Sequence, residues 1–174
     1  MEKWELYDLD RQKTGETMIR GEQMPTGRYH LVVHVCIIND RGQMLIQQRQ
    51  PFKAGYPNLW DVSMGGSAVA GDNSRHAAER EVREELGLTI DLTGCQPDLT
   101  IPFEFGFDDW YIIRGEPRLD ELTLQPEEVQ AARWADEAEI LTMIADGRFI
   151  PYRKPLIPLL FDMWRGGEGA HHAE

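Results

Sequence analysis

Positive charge is scarce in this chain, because 18 lysine and arginine residues stand against 30 aspartate and glutamate residues, for a formal net charge of −12. Such a protein repels phosphate backbones and anionic lipid surfaces at long range. The composition therefore argues against a nucleic-acid partner and against a membrane partner. An acidic protein that acts on a phosphate compound needs a local positive charge, which a divalent metal held by carboxylates supplies.

Cysteine and long apolar runs are also scarce. Cys36 and Cys95 are far apart and match neither a disulfide framework nor a zinc-ligand spacing, which is typical of a reducing compartment. No apolar run reaches membrane-spanning length, and the first ten residues contain no apolar stretch of signal-peptide length. These absences predict a cytoplasmic protein.

The length and composition suit one globular domain. A chain of 174 residues with 41% hydrophobic and 28% charged residues can bury a core of its own. We expect a single domain over residues 1–174, with an N-terminal strand pair and extension at 1–27 and a glycine-rich flexible tail at 166–174.

Apolar periodicity predicts both strands and helices. A helix is expected over Ser74–Leu86, where small and apolar residues repeat every four positions before Gly87. Asp136 opens a second helix that should stop near Gly147, and a third should begin after Pro155 or Pro158. The predicted strands are residues 4–9, 16–20, 30–38, 44–49, 59–63, 99–107, 110–114 and 130–134.

Three carboxylates share one face of the first predicted helix. Glu81, Glu84 and Glu85 stand at positions i, i+3 and i+4, which makes them neighbours about 5–6 Å apart. Like charges at that spacing raise one another's pKa values and cost stability unless a cation neutralises them. A solvated trio is the ordinary alternative, and a bound metal explains the spacing better.

The stretch Gly66–Leu88 (GSAVAGDNSRHAAEREVREELGL) resembles the Nudix box, whose pattern is G-x5-E-x7-R-E-U-x-E-E-x-G-U with U apolar. Asp72 stands where the family has glutamate. In the family this acid pairs with the arginine that is Arg80 here, so the shorter side chain predicts a longer or water-bridged ion pair. The matching positions are Gly66, Arg80, Glu81, Val82, Glu84, Glu85, Gly87 and Leu88.

The segments that flank the box resemble one branch of the same family. YHLVVH at Tyr29, GQMLIQQR at Gly42 and PNLWDVS at Pro57 are similar to the branch that contains isopentenyl diphosphate isomerase. The resemblance implies an α/β (α+β) Nudix fold, in which a mixed β-sheet is sandwiched between helices and carries a loop-helix-loop catalytic motif. The similarity therefore extends over most of the chain.

The resemblance also implies an activity. The expected enzyme is a pyrophosphohydrolase that uses Mg²⁺, with Mn²⁺ as a substitute, to hydrolyse a diphosphate linkage. The substrate would be of the nucleoside diphosphate type or a related small organic diphosphate. Family members often form dimers, so homodimer formation stays open.

Roles carry over to the box by position. Glu84 and Glu85 are expected to be direct metal ligands, with the carbonyl of Gly65 as a further oxygen. Glu81 would bind metal or deprotonate the attacking water, and Arg80 would orient the carboxylates. The expected catalytic set is therefore Glu81, Arg80 and Glu84.

Candidates outside the box are less specific. Many family members use a further acid, for which Asp109 is preferred here over Glu104 and Glu128, although solvated surface is the ordinary alternative for each. Arg49 and Lys53 are candidates for holding phosphate, with structural ion pairs as the alternative. Trp110, among nearby aromatics, would stack on a substrate, with packing as the alternative.

Two rival functions remain. The isomerase needs a cysteine and a metal-binding histidine where this sequence has Gly65 and Ser67, and its downstream glutamate pair appears as Phe107 and Asp109. The second rival is a Nudix-fold module that senses a nucleotide without cutting it. Such a module has no need of the helix glutamates, so their presence favours the hydrolase.

Overall fold

The computed structural model describes residues 2–166, and its contacts divide the chain into two compact units. The first takes the chain up to Val35 together with Gly65–Tyr111, and the second takes Cys36–Met64 and the chain from Ile112 on. In chain order, the strands and helices are β1 (Lys3–Tyr7), β2 (Lys13–Ile19), β3 (His30–Ile38), β4 (Gln43–Arg49), β5 (Trp60–Asp61), β6 (Met64–Ser67), α1 (Ser74–Leu86), β7 (Leu99–Phe103), β8 (Gly106–Arg114), β9 (Val129–Asp136), α2 (Glu137–Ala145) and α3 (Leu156–Trp164).

In the first unit, β1 and β2 form an antiparallel hairpin, as the sequence predicted. The other strands of this unit follow the order β3-β8-β7, with β6 also paired to β3. Strands β7 and β8 are antiparallel, and Leu99 stands opposite Trp110. This sheet supports α1.

The turn between β7 and β8 falls at Glu104 and Phe105, inside the stretch 99–107 that the sequence predicted as one strand. That prediction was wrong, because the chain turns before Gly106 and β8 continues through Asp108 and Asp109 to Arg114. Both acids instead lie within β8, where each carboxylate has a partner side chain. Because each carboxylate has a partner side chain, the two acids can lie within a buried strand.

Helix α1 has the bounds that the sequence predicted. The Asn73 side chain accepts a hydrogen bond from the backbone N–H of His76 at 2.9 Å and so caps the first turn. Gly87 ends the helix with a φ of 72°, a left-handed conformation that glycine adopts without strain. The helix packs through its buried residues Ala77, Ala78, Val82, Glu85 and Leu86.

In the second unit, β4 pairs with β3, β5 and β9. Helix α2 begins after Asp136, whose carboxylate accepts a hydrogen bond from the backbone N–H of Glu139 at 2.8 Å, as the sequence predicted. Helix α3 begins directly after Pro155, one of the two predicted starts. Its apolar side chains Leu156, Ile157, Leu160 and Phe161 are buried.

The strand predicted over residues 59–63 is shorter than expected. It pairs over Trp60–Asp61, and β6 starts at Met64. Between them, the buried Ser63 hydroxyl donates to the Leu45 carbonyl at 2.6 Å and accepts from the Ile37 N–H at 2.8 Å. A side chain thus makes contacts that a continued strand would make with its backbone.

Within residues 2–166, no helix combines the length and hydropathy needed to cross a membrane. Over the same residues, Cys36 and Cys95 form no disulfide. From residue 167 on, the predicted flexible tail lies outside the described residues.

His30 in β3 is a buried imidazole of the first unit. Its ring stacks on the Trp4 indole with ring centroids 4.3 Å apart, and His30 is only 9% exposed. Burial lowers the pKa of His30 to about 4 from the ordinary 6.5, against the opposing charge of Asp108. Folding therefore favours the neutral ring.

This shift predicts a specific pH dependence of stability. Because the folded pKa lies below the unfolded one, the stabilisation is complete above pH 6.5 and is lost as the pH falls toward 4. Between pH 7 and pH 4.5, the free energy of unfolding should fall by about 2 kcal/mol less in His30→Phe, which keeps an aromatic ring, than in wild type. Denaturant unfolding at the two pH values measures this difference. His76→Gln, at an exposed histidine, is the control, and equal pH dependence in wild type and His30→Phe would contradict the assignment.

Candidate active site

The site begins with the close approach of α1 to β6. The Glu81 carboxyl group lies directly against Gly66, where an added Cβ would be 2.5 Å from Glu81 Cδ and 2.8 Å from Oε1. Any side chain at this position would displace the carboxylate. The glycine of the box is therefore a steric requirement for the placement of Glu81.

Arg80 connects the carboxylates of this site. Its Nη1 donates to Glu81 Oε1 at 2.9 Å and to Glu84 Oε2 at 3.1 Å, and its Nη2 donates to the Ser67 carbonyl at 3.2 Å. Its Nε and Nη2 both donate to Asp72 Oδ2, at 3.1 and 3.0 Å. The prediction of a lengthened or water-bridged pair was therefore wrong, because the loop before α1 brings the shorter aspartate into direct contact.

Burial and charge act in opposite directions on these groups. Burial raises the pKa of the Glu81 carboxyl, Arg80 lowers it, and the charges of Glu84 and Glu2 add to the rise, so that the net pKa lies above the ordinary value. For Arg80, burial lowers the pKa, but the Glu81 and Asp72 carboxylates outweigh it, and the guanidinium stays charged. The remaining glutamate of the trio, Glu85, is 5% exposed.

The N-terminal hairpin holds the loop of the box, which sequence reasoning missed. The Lys3 carbonyl accepts from the backbone N–H of Ala70 at 2.8 Å, and Lys13 Nζ donates to the Asp72 carbonyl at 2.7 Å. The loop that carries the partner of Arg80 is thus tied to β1 and β2. No local pattern reports this contact, because the paired residues are about sixty positions apart in the chain.

The same hairpin brings a further carboxylate toward Arg80. Glu2 accepts hydrogen bonds from Trp4 Nε1 at 2.9 Å and from Arg20 Nη1 at 2.8 Å. Burial raises the pKa of Glu2, but these bonds and the charges of Arg20 and Arg80 outweigh that effect and lower it. Glu2 therefore adds negative charge near the helix glutamates.

The structure does not bring Asp109 to this site. Its carboxylate is fully buried and accepts from Arg11 Nη2 at 2.7 Å, Ser74 Oγ at 2.7 Å and Thr100 Oγ1 at 2.6 Å. Ser74 begins α1 seven residues before Glu81, so the two positions are about 10 Å apart along the helix axis. Asp109 belongs to the opposite end of the helix.

The other candidates also have protein partners. In the second unit, Arg49 Nε donates to the Gly55 carbonyl at 3.0 Å, and Lys53 forms a salt bridge with Glu128. In the first unit, Trp110 is fully buried, and its ring stacks on His34 with centroids 4.0 Å apart. Trp110 therefore has no face open to a substrate in this structure, which agrees with the packing alternative. Glu104 lies in the turn between β7 and β8.

Comparison with known proteins settles the family. The model of the NUDIX domain matches residues 28–160, a stretch that contains the whole box. The chain belongs to the Nudix family. The fold is accordingly the Nudix α/β fold with a mixed sheet, and the described residues contribute three helices to it.

The relatives are similar over nearly the full chain. An uncharacterized Nudix hydrolase of Listeria monocytogenes is 51% identical over 152 residues, which cover 87% of this chain and 90% of that protein. The crystal structure of a Deinococcus radiodurans protein superimposes with a TM-score of 0.71 at 26% identity, covering 91% of this chain and 97% of the other. The isopentenyl-diphosphate Delta-isomerase of Nocardia farcinica is 26% identical over 150 residues, or 81% of this chain and 83% of that enzyme.

Nudix enzymes generally depend on a divalent metal, and the oxygen atoms at this site fit one chemically. Carboxylates and a backbone carbonyl are the hard donors that Mg²⁺ prefers. Within residues 2–166, no three His, Cys, Asp or Glu side chains are arranged so that they could bind one metal ion together. Glu84 points to Arg80 but is half-exposed, so its side chain has room to turn.

Proposed function

We propose that this Nudix protein is a Mg²⁺-dependent pyrophosphohydrolase that cuts a diphosphate linkage. Its substrate is of the nucleoside diphosphate type or a related small organic diphosphate. The observation that carries the proposal is the gathering of Glu81 and Glu84 around Arg80, with the Glu81 carboxyl seated on Gly66. Crowded carboxylates of this kind suit a cationic centre, which an anionic substrate also requires.

Glu81, Glu84 and Glu85 would hold the metal, with the carbonyl of Gly65 as a further oxygen. When bound, the ion neutralises phosphate charge and lowers the pKa of a water molecule so that it becomes a nucleophile near neutral pH. Four oxygens leave room in a six-coordinate shell for water or substrate phosphate. Asp109 is not required in this set.

The residues of the chain itself orient the site and handle the proton. Arg80 holds Glu81 through its Nη1 and is in turn held by Asp72. As the alternative to binding metal, Glu81 would take a proton from the attacking water; burial raises the pKa of its carboxyl in the metal-free site, which suits a proton acceptor. In the second unit, Arg49 and Lys53 stay proposals for phosphate binding, and each would exchange a present partner for substrate.

The observed residues favour the hydrolase over the rivals. The positions at which the isomerase needs cysteine and histidine are Gly65 and Ser67 of β6. A nucleotide sensor would have no use for the Arg80 ion pairs that hold the glutamates. Turnover that depends on metal separates the hydrolase from the sensor.

The test is release of phosphate or pyrophosphate from a panel of nucleotides and isoprenoid diphosphates. We expect release with Mg²⁺ or Mn²⁺, loss of release with a chelator, and recovery when the metal is returned, because the carboxylates alone repel the substrate. If no compound of the panel releases phosphate or pyrophosphate, and one of them binds tightly without metal, the result would instead support the sensor.

A further inference from the structure

A cavity lies at the start of α1, within the first unit. Its volume is about 370 Å³, and its polar lining includes Arg11, Ser74, Arg75, Thr100, Asp109 and Tyr111. Pockets of roughly 300–1,000 Å³ take small organic ligands. We call this cavity the Arg75 pocket.

The pocket is locally positive in a strongly acidic protein. The one carboxylate named in its lining, Asp109, is neutralised by Arg11 at 2.7 Å and accepts two further hydrogen bonds from hydroxyl groups. Arg75 forms no salt bridge within residues 2–166, and its Nη1 donates to the Cys95 carbonyl at 3.3 Å. The charge of Arg75 is therefore not balanced by a carboxylate at contact distance.

Hydroxyl groups and a second guanidinium lie beside this charge. Tyr111 Oη donates to Ser74 Oγ at 2.8 Å, and both Arg75 and Arg11 act electrostatically on the Tyr111 hydroxyl. The first turn of α1 contains no acidic residue, so the positive end of the helix adds to the field. The hydroxyl protons are already donated, from Tyr111 to Ser74 and from Ser74 and Thr100 to Asp109, so a ligand in this space meets the guanidinium groups. Guanidinium groups are donors that bind phosphate oxygens in proteins.

We propose that the Arg75 pocket is a second ligand site that binds a phosphomonoester. The phosphoryl group pairs with Arg75, which can keep its bond to the Cys95 carbonyl through Nη1 while it offers its other nitrogens. Arg11, held in place by Asp109, bounds the same space, and the rest of the volume accommodates a small organic group. This site is separate from the helix glutamates and does not depend on the proposed hydrolysis.

The test is calorimetric titration of the whole chain with glycerol 3-phosphate, inorganic phosphate and sulfate, in a chelator and at low salt. Without metal, the helix glutamates repel anions, so binding under these conditions reports on another site. We expect glycerol 3-phosphate to bind more tightly than phosphate or sulfate. Equal affinity for all three anions, or no binding of the ester, would overturn the proposal.

Two variants locate the site. Arg75→Gln should weaken ester binding at least about tenfold, since a charge-assisted hydrogen bond is lost. Arg83→Gln removes the same charge from an exposed position of α1 and should leave binding unchanged. Equal weakening in both variants would mean a general charge effect and would contradict the proposal. Neither substitution touches the residues proposed for hydrolysis.

A second measurement needs no substitution. Cys95 lines the pocket and is exposed, whereas Cys36 is buried, so a neutral alkylating reagent should modify Cys95 first. Glycerol 3-phosphate should slow alkylation of Cys95 over the same concentration range in which it binds. An alkylation rate that does not change on saturation with the ester would place the ligand elsewhere.

Discussion

Replacing Glu85 with glutamine is expected to lower the turnover number for a diphosphate substrate by about a thousandfold, at saturating metal, while the fold is kept. The amide has nearly the shape of the carboxylate but carries no charge, so it is a poor ligand for Mg²⁺. Glu85 is 5% exposed on the buried face of α1, where a substitution of the same shape disturbs packing least. Glu84→Gln should act in the same direction.

The control for this prediction is Glu79→Gln on the same helix. The Glu79 carboxylate accepts a hydrogen bond from the backbone N–H of Leu92 at 2.8 Å, a bond that an amide oxygen can also accept. Turnover should therefore stay near that of wild type. Steady-state kinetics and denaturant unfolding of the variants measure activity and fold separately. Unchanged turnover in either Glu84→Gln or Glu85→Gln would refute the assignment of these residues as metal ligands.

The second large effect is expected from Gly66→Ala. The new Cβ would lie 2.5 Å from Glu81 Cδ, so the glutamate side chain has to move. Because the displaced atoms are the end of a flexible side chain, the change should cost only about 1 kcal/mol in stability. Turnover should fall about a hundredfold, since a shift of about 1 Å in a catalytic group has consequences of that size.

Gly55→Ala is the matched control, because a Cβ at Gly55 meets no atom within 4 Å and its backbone has no left-handed conformation. This variant should resemble wild type in both activity and stability. The informative outcome for Gly66→Ala is a large loss of activity with a small loss of stability. If Gly66→Ala has wild-type turnover, or if it loses activity because it unfolds, then Gly66 is not required for the placement of Glu81.

Much of the site could be predicted because its determinants are local. Helix α1 has the predicted bounds, since Gly87 and the four-residue apolar repeat are short-range signals. The spacing of Glu81 and Glu84 places both within reach of Arg80 for the same reason, because neighbours on a helix face are set by its geometry. The family followed from the same stretch of sequence.

The failures share one cause, which is that partners distant in sequence decided the outcome. The sequence predicted a break between residues 107 and 110, but Asp108 and Asp109 lie within β8 and pair with side chains from β3 and from the loop between β1 and β2. The aromatic ring of Trp110 resembled a substrate contact until its stack on His34 and complete burial were known. Neither result is contained in the local pattern.

By itself, the sequence determined the family, helix α1 and the carboxylates on one of its faces, because helix periodicity and capping act over a few residues. The tertiary structure alone decided that the N-terminal hairpin holds the loop before α1, that Asp72 reaches Arg80 directly, and that Asp109 joins Arg11 at the other end of the helix. Contacts between side chains that are far apart in sequence form because the fold brings them together, and short-range preferences do not predict such contacts.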